Sequence, residues 1–192
     1  MRRHAPAVAA VTLAVLLAGC NGSDPDPSTS TTTPPTSIPT TKTTTSPTTP
    51  GTRSKIPPSA QKHSVAGSEA FTEYFIHSLN VAWTTPDEHI LPELCNSSSK
   101  ACAALQRTAV DLATKSQRYT KEPASIKTVI FAGTSKGLYR VEFLGTQNRA
   151  SVVDKDGKVV LTDPEEPSHW LFFLEWESTH WLVHEIKIVE SQ

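Results

Sequence analysis

An apolar run near the start of the chain is the first feature of its hydropathy pattern. Residues 5–18 are apolar apart from Pro6 and Thr12, and they follow the basic start Arg2-Arg3. A basic start, a short apolar run and small residues before a cleavage point are typical of a secretory signal peptide. The run is shorter than the ~20 apolar residues that a membrane-spanning helix needs. We therefore predict that residues 1–19 are a signal peptide.

A polar stretch rich in Thr, Pro and Ser follows. Its runs include Thr31-Thr32-Thr33-Pro34-Pro35 and Thr43-Thr44-Thr45-Ser46-Pro47, and its large apolar residues are Ile38 and Ile56. Such a stretch buries too little apolar surface to offset the entropy of ordering it, so we predict a disordered linker over residues 20–58. It is either an extended spacer or a tail without a length requirement. Its composition also fits an O-glycosylated stalk.

Three helical patterns come next. In residues 65–83 apolar side chains recur at steps of three and four, which is typical of a helix that faces a core. These side chains are Phe71, Tyr74, Phe75, Leu79 and Ala82. Ser68 is the expected N-cap. A capping box at residues 85–88 opens a short second helix. A third helix runs from Ala101 to about Lys121, because Pro123 disfavours helix at the residue before it.

Beyond Pro123 the pattern is that of strands. Residues 126–131 are β-branched and aromatic, and residues 139–143 alternate between apolar and charged side chains. Asp156-Gly157 between two short apolar runs is a strong hairpin signal. Two long strands, joined tightly and therefore expected to pair antiparallel, close the chain. One face of the first carries Trp170, Phe172, Leu174 and Trp176.

The last strand has an ambiguous register. Its alternation puts Trp181 and Val183 on one face and Ile186 and Ile188 on the other. A β-bulge near His184-Glu185 would bring both pairs to the same face. The alternative is a strand that is buried on both faces.

The charge of the chain argues against two kinds of partner. The sequence has 18 Lys and Arg against 19 Asp and Glu, and the predicted signal peptide contains Arg2 and Arg3, so the mature chain has a net charge near −3. Nucleic-acid binding needs clustered positive charge, and a membrane-binding patch is polybasic. We expect neither.

The three cysteines divide into one and two. Cys20 directly follows the predicted signal peptide, while Cys95 and Cys102 form an even pair in the predicted domain. Outside the cytosol such a pair is expected to oxidise to a disulfide. A zinc site is a poor alternative, because two thiols without a nearby histidine supply half of its ligands.

The residues around Cys20 carry a resemblance. Leu17-Ala18-Gly19-Cys20 resembles the bacterial lipobox, in which a leucine and two small residues precede a cysteine. The resemblance implies that Cys20 receives a lipid with acyl chains such as palmitate and becomes the mature N-terminus. Because each buried CH₂ contributes ~0.8 kcal/mol, two or three chains hold firmly. The expected location is the extracellular face of the cell membrane. An ordinary signal peptide with a chance cysteine is the alternative.

Helices followed by strands predict an α+β domain over residues 59–192. The order of three helices and then strands resembles the nuclear transport factor 2-like cone fold, also called cystatin-like or SnoaL-like. The segment Glu177–Ile186 is similar to the last hairpin of that fold. The resemblance implies three N-terminal helices packed on a bent antiparallel sheet.

The chain also resembles a family of uncharacterised actinobacterial lipoproteins. The shared features are a lipobox at Cys20, a Thr/Pro stalk, the first-helix motif Phe71-Thr72-Glu73-Tyr74-Phe75, and the pair Cys95 and Cys102 before the third helix. That family brings no known activity with it.

A cone fold implies a pocket between the sheet and the helices, in which enzymes of this fold place an Asp or His to move a proton. The candidates here are Asp111, Tyr139, His169 and His184, although Asp111 and the histidines are better explained as surface or loop residues. The predicted lining of the pocket is Trp170, Phe172, Trp176, Trp181, Tyr139 and His184. The sequence contains no nucleophile elbow, phosphate loop or metal-spaced His/Glu set, so we assign no catalytic residue, metal or cofactor.

Three hypotheses follow from these observations. The first is a non-catalytic, membrane-tethered module that holds a small apolar ligand or binds a protein of the cell envelope. The second is a small enzyme of the isomerase or cyclase type on the same fold. The third is a structural envelope protein whose cone is filled by its own side chains.

Overall fold

The computed structural model describes residues 56–189, in which two α-helices precede seven strands. The helices are α1 (Val65–Thr84) and α2 (Lys100–Thr114), and a 3₁₀ helix, Leu91–Leu94, lies between them. The strands are β1 (Arg118–Tyr119), β2 (Ala124–Ser135), β3 (Leu138–Gln147), β4 (Ser151–Val153), β5 (Val159–Thr162), β6 (Glu166–Glu177) and β7 (His180–Ile188). The predicted signal peptide, Cys20 and most of the predicted linker lie outside the described residues.

The second of the three predicted helices is not an α-helix. After α1 the chain turns at Pro86, whose φ is 20°, and the only helical structure between α1 and α2 is the 3₁₀ turn Leu91–Leu94. Pro92 lies inside this turn, where its ring and missing N–H oppose a longer helix. Of the three predicted helices, the first and the third are therefore α-helices, and the short second one is a single 3₁₀ turn.

Helix α2 ends at Thr114, well before the predicted boundary near Lys121. Ser116 adopts a left-handed φ of 51°, and the amide of Gln117 donates to the carbonyl of Leu112. This is the geometry of a Schellman-type cap, which usually requires glycine. The residues that follow the cap form β1 and pair with β4.

The larger sheet has the order β2-β3-β6-β7, and all neighbouring strands are antiparallel. The register shift between β6 and β7 leaves His184 as the extra residue opposite the step 173–174. Of the two alternatives for the last strand, a bulge near His184-Glu185 or burial on both faces, the structure has the bulge. It keeps Ile186 on the core side together with the buried Trp181 and Val183.

The smaller sheet has the order β1-β4-β5. The predicted hairpin around Asp156-Gly157 is confirmed, since β4 and β5 pair antiparallel and Gly157 has a φ of 81°. A second apolar cluster packs under this sheet and contacts Trp83 at the end of α1. Its members are Leu112, Tyr119, Ala150 and Val152.

The main core lies between α1 and the inner face of the four-stranded sheet. Its largest fully buried members are Trp181, Phe71, Phe75, Phe143, Phe172, Ile76, Leu79, Leu91, Leu174, Val141 and Val183. Cys95 and Cys102 form a disulfide, which joins the 3₁₀ turn to α2 beside β7. Among residues 56–189, no helix is both long enough and apolar enough to cross a bilayer.

Candidate functional site: the aromatic interior and its closing segment

The interior of the cone is occupied by aromatic side chains of the protein itself. The ring of Phe172 on β6 lies 5.5 Å from Phe75 on α1 and 6.5 Å from Phe143 on β3, edge to face in both cases. All three side chains are fully buried. A ligand pocket needs a few hundred Å³ of open, lined space. The side chains that would line it here contact one another instead.

The residues predicted to line a pocket fall into three environments. Phe172 and Trp181 have no exposed surface and belong to the core. His184 is the bulge residue on the outer side of the sheet, where its Nδ1 lies 3.5 Å from Oε2 of Glu175. The remaining members are half-buried against the core: Trp170, Trp176 and Tyr139.

Partly exposed rings surround Trp181 at one end of the cone. The ring centroids of Tyr139 and Trp176 lie 4.8 and 4.9 Å from that of Trp181. His63, just before α1, stacks on Trp176 at 4.8 Å and meets Trp181 edge-on at 5.4 Å. Aromatic pairs of this kind contribute ~0.5–1.5 kcal/mol each beyond their burial. The rings therefore seal this end of the cone.

Residues 56–64, which we call the closing segment, cover the sealed end. Ile56 packs against the core, and Ala60 is 1% exposed. The indole Nε1 of Trp181 donates a hydrogen bond to the carbonyl of Lys62 at 3.0 Å. This hydrogen bond pairs the one polar atom of the buried Trp181 ring. The closing segment is therefore a part of the core.

A tight turn returns the closing segment to α1. Ser64 caps the helix by accepting a hydrogen bond from the amide of Gly67 at 3.1 Å; the predicted cap, Ser68, was wrong. A Cβ on Gly67 would lie 1.9 Å from the carbonyl oxygen of Lys62. Only glycine therefore allows the carbonyl that binds Trp181 to approach the helix.

The closing segment is only weakly marked in the sequence. The predicted linker includes residues 56–58, because Ile56 is a single apolar residue among Pro, Ser and Lys. His63 also precedes the first helical pattern. The available signal was the closely spaced pair Ser64 and Gly67, which allows a capped turn.

The titratable candidates Asp111, His169 and His184 lie outside the interior. Asp111 is exposed on α2. His169 is hydrogen-bonded to Glu142 on the outer face of the sheet, and His184 is beside Glu175. Proton transfer requires an acid or base within hydrogen-bond reach of a bound substrate, and these three residues do not converge on one cavity. Among residues 56–189, no group of three or more His, Cys, Asp or Glu is placed to hold a metal ion.

Tyr119 is a buried titratable group that the sequence did not single out. Its hydroxyl donates to Oδ2 of Asp163 at 2.6 Å, and its ring stacks on Trp83 at 5.6 Å. Burial raises the pKa of Tyr119, and the hydrogen bond and negative charge of Asp163 raise it further. At neutral pH the phenol is a hydrogen-bond donor that ties the end of β5 to the cluster under the smaller sheet.

Two surface clefts lie away from the predicted pocket. One, of about 370 Å³, is between α1 and β2 and includes Glu73, His77 and Glu122. The other, of about 590 Å³, borders the Asp156-Gly157 turn. Neither cleft is lined by a residue that the sequence predicted for a site.

A protein-family model matches residues 43–187, which include most of both sheets. The chain belongs to the DUF6318 family. The description of DUF6318 is a family of unknown function, so membership assigns no activity. No curated protein matches this DUF6318 chain.

Solved structures resemble the DUF6318 domain in fold. The intermembrane space region of the chloroplast protein ARC6 has a TM-score of 0.50 at 13% identity, covering 68% of this chain and 99% of that one. An uncharacterised protein with a cystatin-like fold from Caulobacter vibrioides has a TM-score of 0.41 at 14% identity, covering 62% and 87%. Aln2 from a Streptomyces species has a TM-score of 0.41 at 12% identity, covering 62% and 83%. Identities this low concern the fold alone, and nothing about function follows from them.

Proposed function

We propose that this protein is a lipoprotein tethered through Cys20 to the extracellular face of the cell membrane, with a non-catalytic domain that binds a protein of the cell envelope. The basic start, the apolar run and Leu17-Ala18-Gly19-Cys20 support the tether. The part of the predicted linker that precedes the closing segment, residues 20–55, would let the domain reach partners away from the bilayer.

The observation that supports a protein partner over a small apolar ligand is the packing of the interior. Phe172 and Trp181 are fully buried, and the carbonyl of Lys62 accepts the hydrogen bond of the Trp181 indole. At the Trp181 end of the cone, a small apolar ligand could enter only by displacing the closing segment and breaking these contacts. A partner therefore meets the domain on its outer surface.

The same packing also favours the structural envelope protein as a second candidate. A filled cone is equally what a domain without a binding partner would have. The two candidates differ in whether the outer surface makes specific contacts in the cell.

The tether is tested by cell fractionation. The Cys20→Ser chain lacks the sulfur that accepts the lipid, so it should move from the membrane fraction to the soluble fraction. Asn21→Ser is the matched control, since it changes the next residue and keeps the acceptor, and it should stay in the membrane. A Cys20→Ser chain that remains in the membrane fraction contradicts the proposal.

The binding role is tested by photo-crosslinking in intact cells. A photoreactive residue at the exposed Ile130 or Ile188 should give a protein adduct that excess purified Cys20→Ser chain competes away. The same residue at Asp111 tests whether adducts are specific to the sheet. If no outer position gives a competed adduct, the structural candidate is the correct one.

A further inference from the structure

Strand β5 has an unusual surface for a short strand of a folded domain. Its three consecutive apolar residues, Val159, Val160 and Leu161, are 54%, 46% and 54% exposed. The pairing with β4 shifts register between Val152 and Val153 and leaves Val160 as an extra, bulged residue of β5. The three apolar side chains therefore do not follow the regular alternation of a strand, and all three are open to solvent. Adjacent exposed apolar residues of this kind mark an interaction site or an aggregation hazard.

The strand is also the edge of its sheet. Within the described residues β5 pairs only with β4. The amide of Asp163 points towards β4, where it donates to the carbonyl of Ala150 at 2.9 Å. Backbone groups alternate in direction along an antiparallel strand, so the N–H and C=O of Thr162 point away from β4 and can pair with another strand.

The charges at the two ends of β5 favour one orientation of a second strand paired with it. The positive charge at the start of β5 is that of Lys158, whose backbone amide donates to the carboxylate of Asp154 at 2.9 Å. The neighbouring Lys155 pairs with Asp156 at 2.9 Å. The residues after β5 are acidic: Asp163, Glu165 and Glu166. An antiparallel second β5 would bring each lysine beside the acidic end of the other strand. A parallel one would put like charges together.

We infer that β5 is a self-association edge, at which β5 of one copy pairs antiparallel with β5 of a second copy. The patch is then complementary to itself, as a two-fold interface requires. The apolar contact is small, so the dimer is weak in solution. Copies tethered to one membrane as proposed above would meet at a high effective concentration, which would favour the dimer there. The inference goes beyond the proposed function and does not rest on it.

The inference is tested by sedimentation of the Cys20→Ser chain, which is soluble for this purpose. Its mean mass should rise from that of a monomer towards that of a dimer over about 10 µM to about 1 mM, the range of a weak complex. Val160→Lys should weaken the dimer at least about tenfold, since each 1.4 kcal/mol lost is tenfold in affinity. Ile130→Lys is the matched control, because Ile130 is 48% exposed on β2, an edge strand of the other sheet.

Charge reversal makes the test independent of how well Val160→Lys folds. Lys158→Glu alone and Glu165→Lys with Glu166→Lys should each abolish self-association, because both copies then repel. An equimolar mixture of the two variants should dimerise again, because position 158 of each copy then faces positions 165 and 166 of opposite charge in the other copy. Lys127→Glu, on β2, should leave the dimer unchanged.

Three results would overturn the inference. The first is a chain that stays monomeric over the whole concentration range. The second is a dimer that survives Val160→Lys and is lost with Ile130→Lys. The third is a mixture of the two charge variants that fails to associate.

Discussion

The two sheets differ in how their outer strands are covered. On the four-stranded sheet, the side chain of Asn80 bonds both backbone groups of Ala124 on β2, and Glu69 accepts the amide of Phe131. On the other edge, the amide of Asn96 donates to Val183 of β7 at 2.9 Å. Strand β5 of the smaller sheet has no such cover within the described residues.

We interpret this difference as a division of roles, in which the four-stranded sheet determines folding stability and β5 of the smaller sheet determines association with other chains. Unpaired strand edges invite association with another chain, and folded proteins usually protect them. Here both edges of the sheet that encloses the aromatic core are protected, whereas the apolar strand of the smaller sheet is open. We therefore expect substitutions in the cone to affect folding, and substitutions on β5 to affect association.

The largest expected effect is in the interior of the cone. Phe172→Ala removes a fully buried ring and should lower the free energy of unfolding by about 3–5 kcal/mol. Phe173→Ala is the matched control on the same strand, where the half-buried ring faces outwards under Lys187; it should cost about 1 kcal/mol. Urea unfolding measures both. Equal losses would show that the interior is not the main core.

The next effect concerns the closing segment. Gly to Ala in a helix normally stabilises by up to ~1 kcal/mol. Gly67→Ala should instead destabilise by about 2 kcal/mol, because its Cβ would lie 1.9 Å from the carbonyl oxygen of Lys62. The same strain should quench or shift the fluorescence of Trp181. Ala66→Gly, at the exposed neighbouring position, should lose about 1 kcal/mol without a spectral change. A stabilising Gly67→Ala contradicts the tight turn.

The third prediction concerns the Cys95–Cys102 disulfide, which lies beside β7, a covered edge strand of the four-stranded sheet. The backbone of Cys95 forms an isolated parallel β-bridge with Val183 of β7. Its sulfur is disulfide-bonded to Cys102, seven residues later. Chain entropy for so short a loop gives about 2 kcal/mol. The Cys95→Ala, Cys102→Ala chain should lose that amount and still fold. In this variant, loss of the disulfide should loosen the residues that cover β7, so amide hydrogen exchange should increase more in β7 than in β3. Two free thiols in the protein isolated from its native cells would contradict the assignment.

The smallest effect is expected in the smaller sheet. Tyr119→Phe removes the hydrogen bond to Asp163 and should cost about 1 kcal/mol at pH 7. Because burial, and then Asp163, raise the pKa of Tyr119 in the folded state, its contribution is complete below the ordinary tyrosine pKa of about 10 and is lost as the pH rises further. Unfolding measured from neutral to strongly alkaline pH should show this loss, and Tyr119→Phe should reduce it.

Much of the fold could be predicted because local signals agreed with the tertiary structure. Asp156-Gly157 indicated the β4–β5 hairpin. The conflicting faces of Trp181 and Ile186 indicated an irregularity in the last strand, but they left open whether it was a bulge at His184 or burial on both faces. The end of α2 could not be predicted, because Ser116 takes a conformation that usually marks glycine.

The candidate site was harder to predict than the fold. The spacing of Trp170, Phe172 and Trp176 is the same whether these rings line a cavity or fill it. Which of the two occurs depends on the closing segment, whose single large apolar residue, Ile56, looked like part of the linker. Val159–Leu161 indicated a strand correctly, but local sequence does not tell an exposed edge from a buried strand.

Native mass spectrometry of the Cys20→Ser chain, purified without detergent, tests the filled interior most directly. If the aromatic side chains and the closing segment occupy the cone, the spectrum contains the bare polypeptide as monomer and dimer. A co-purified apolar small molecule at one per chain would show that the cone is a binding pocket and would contradict this account.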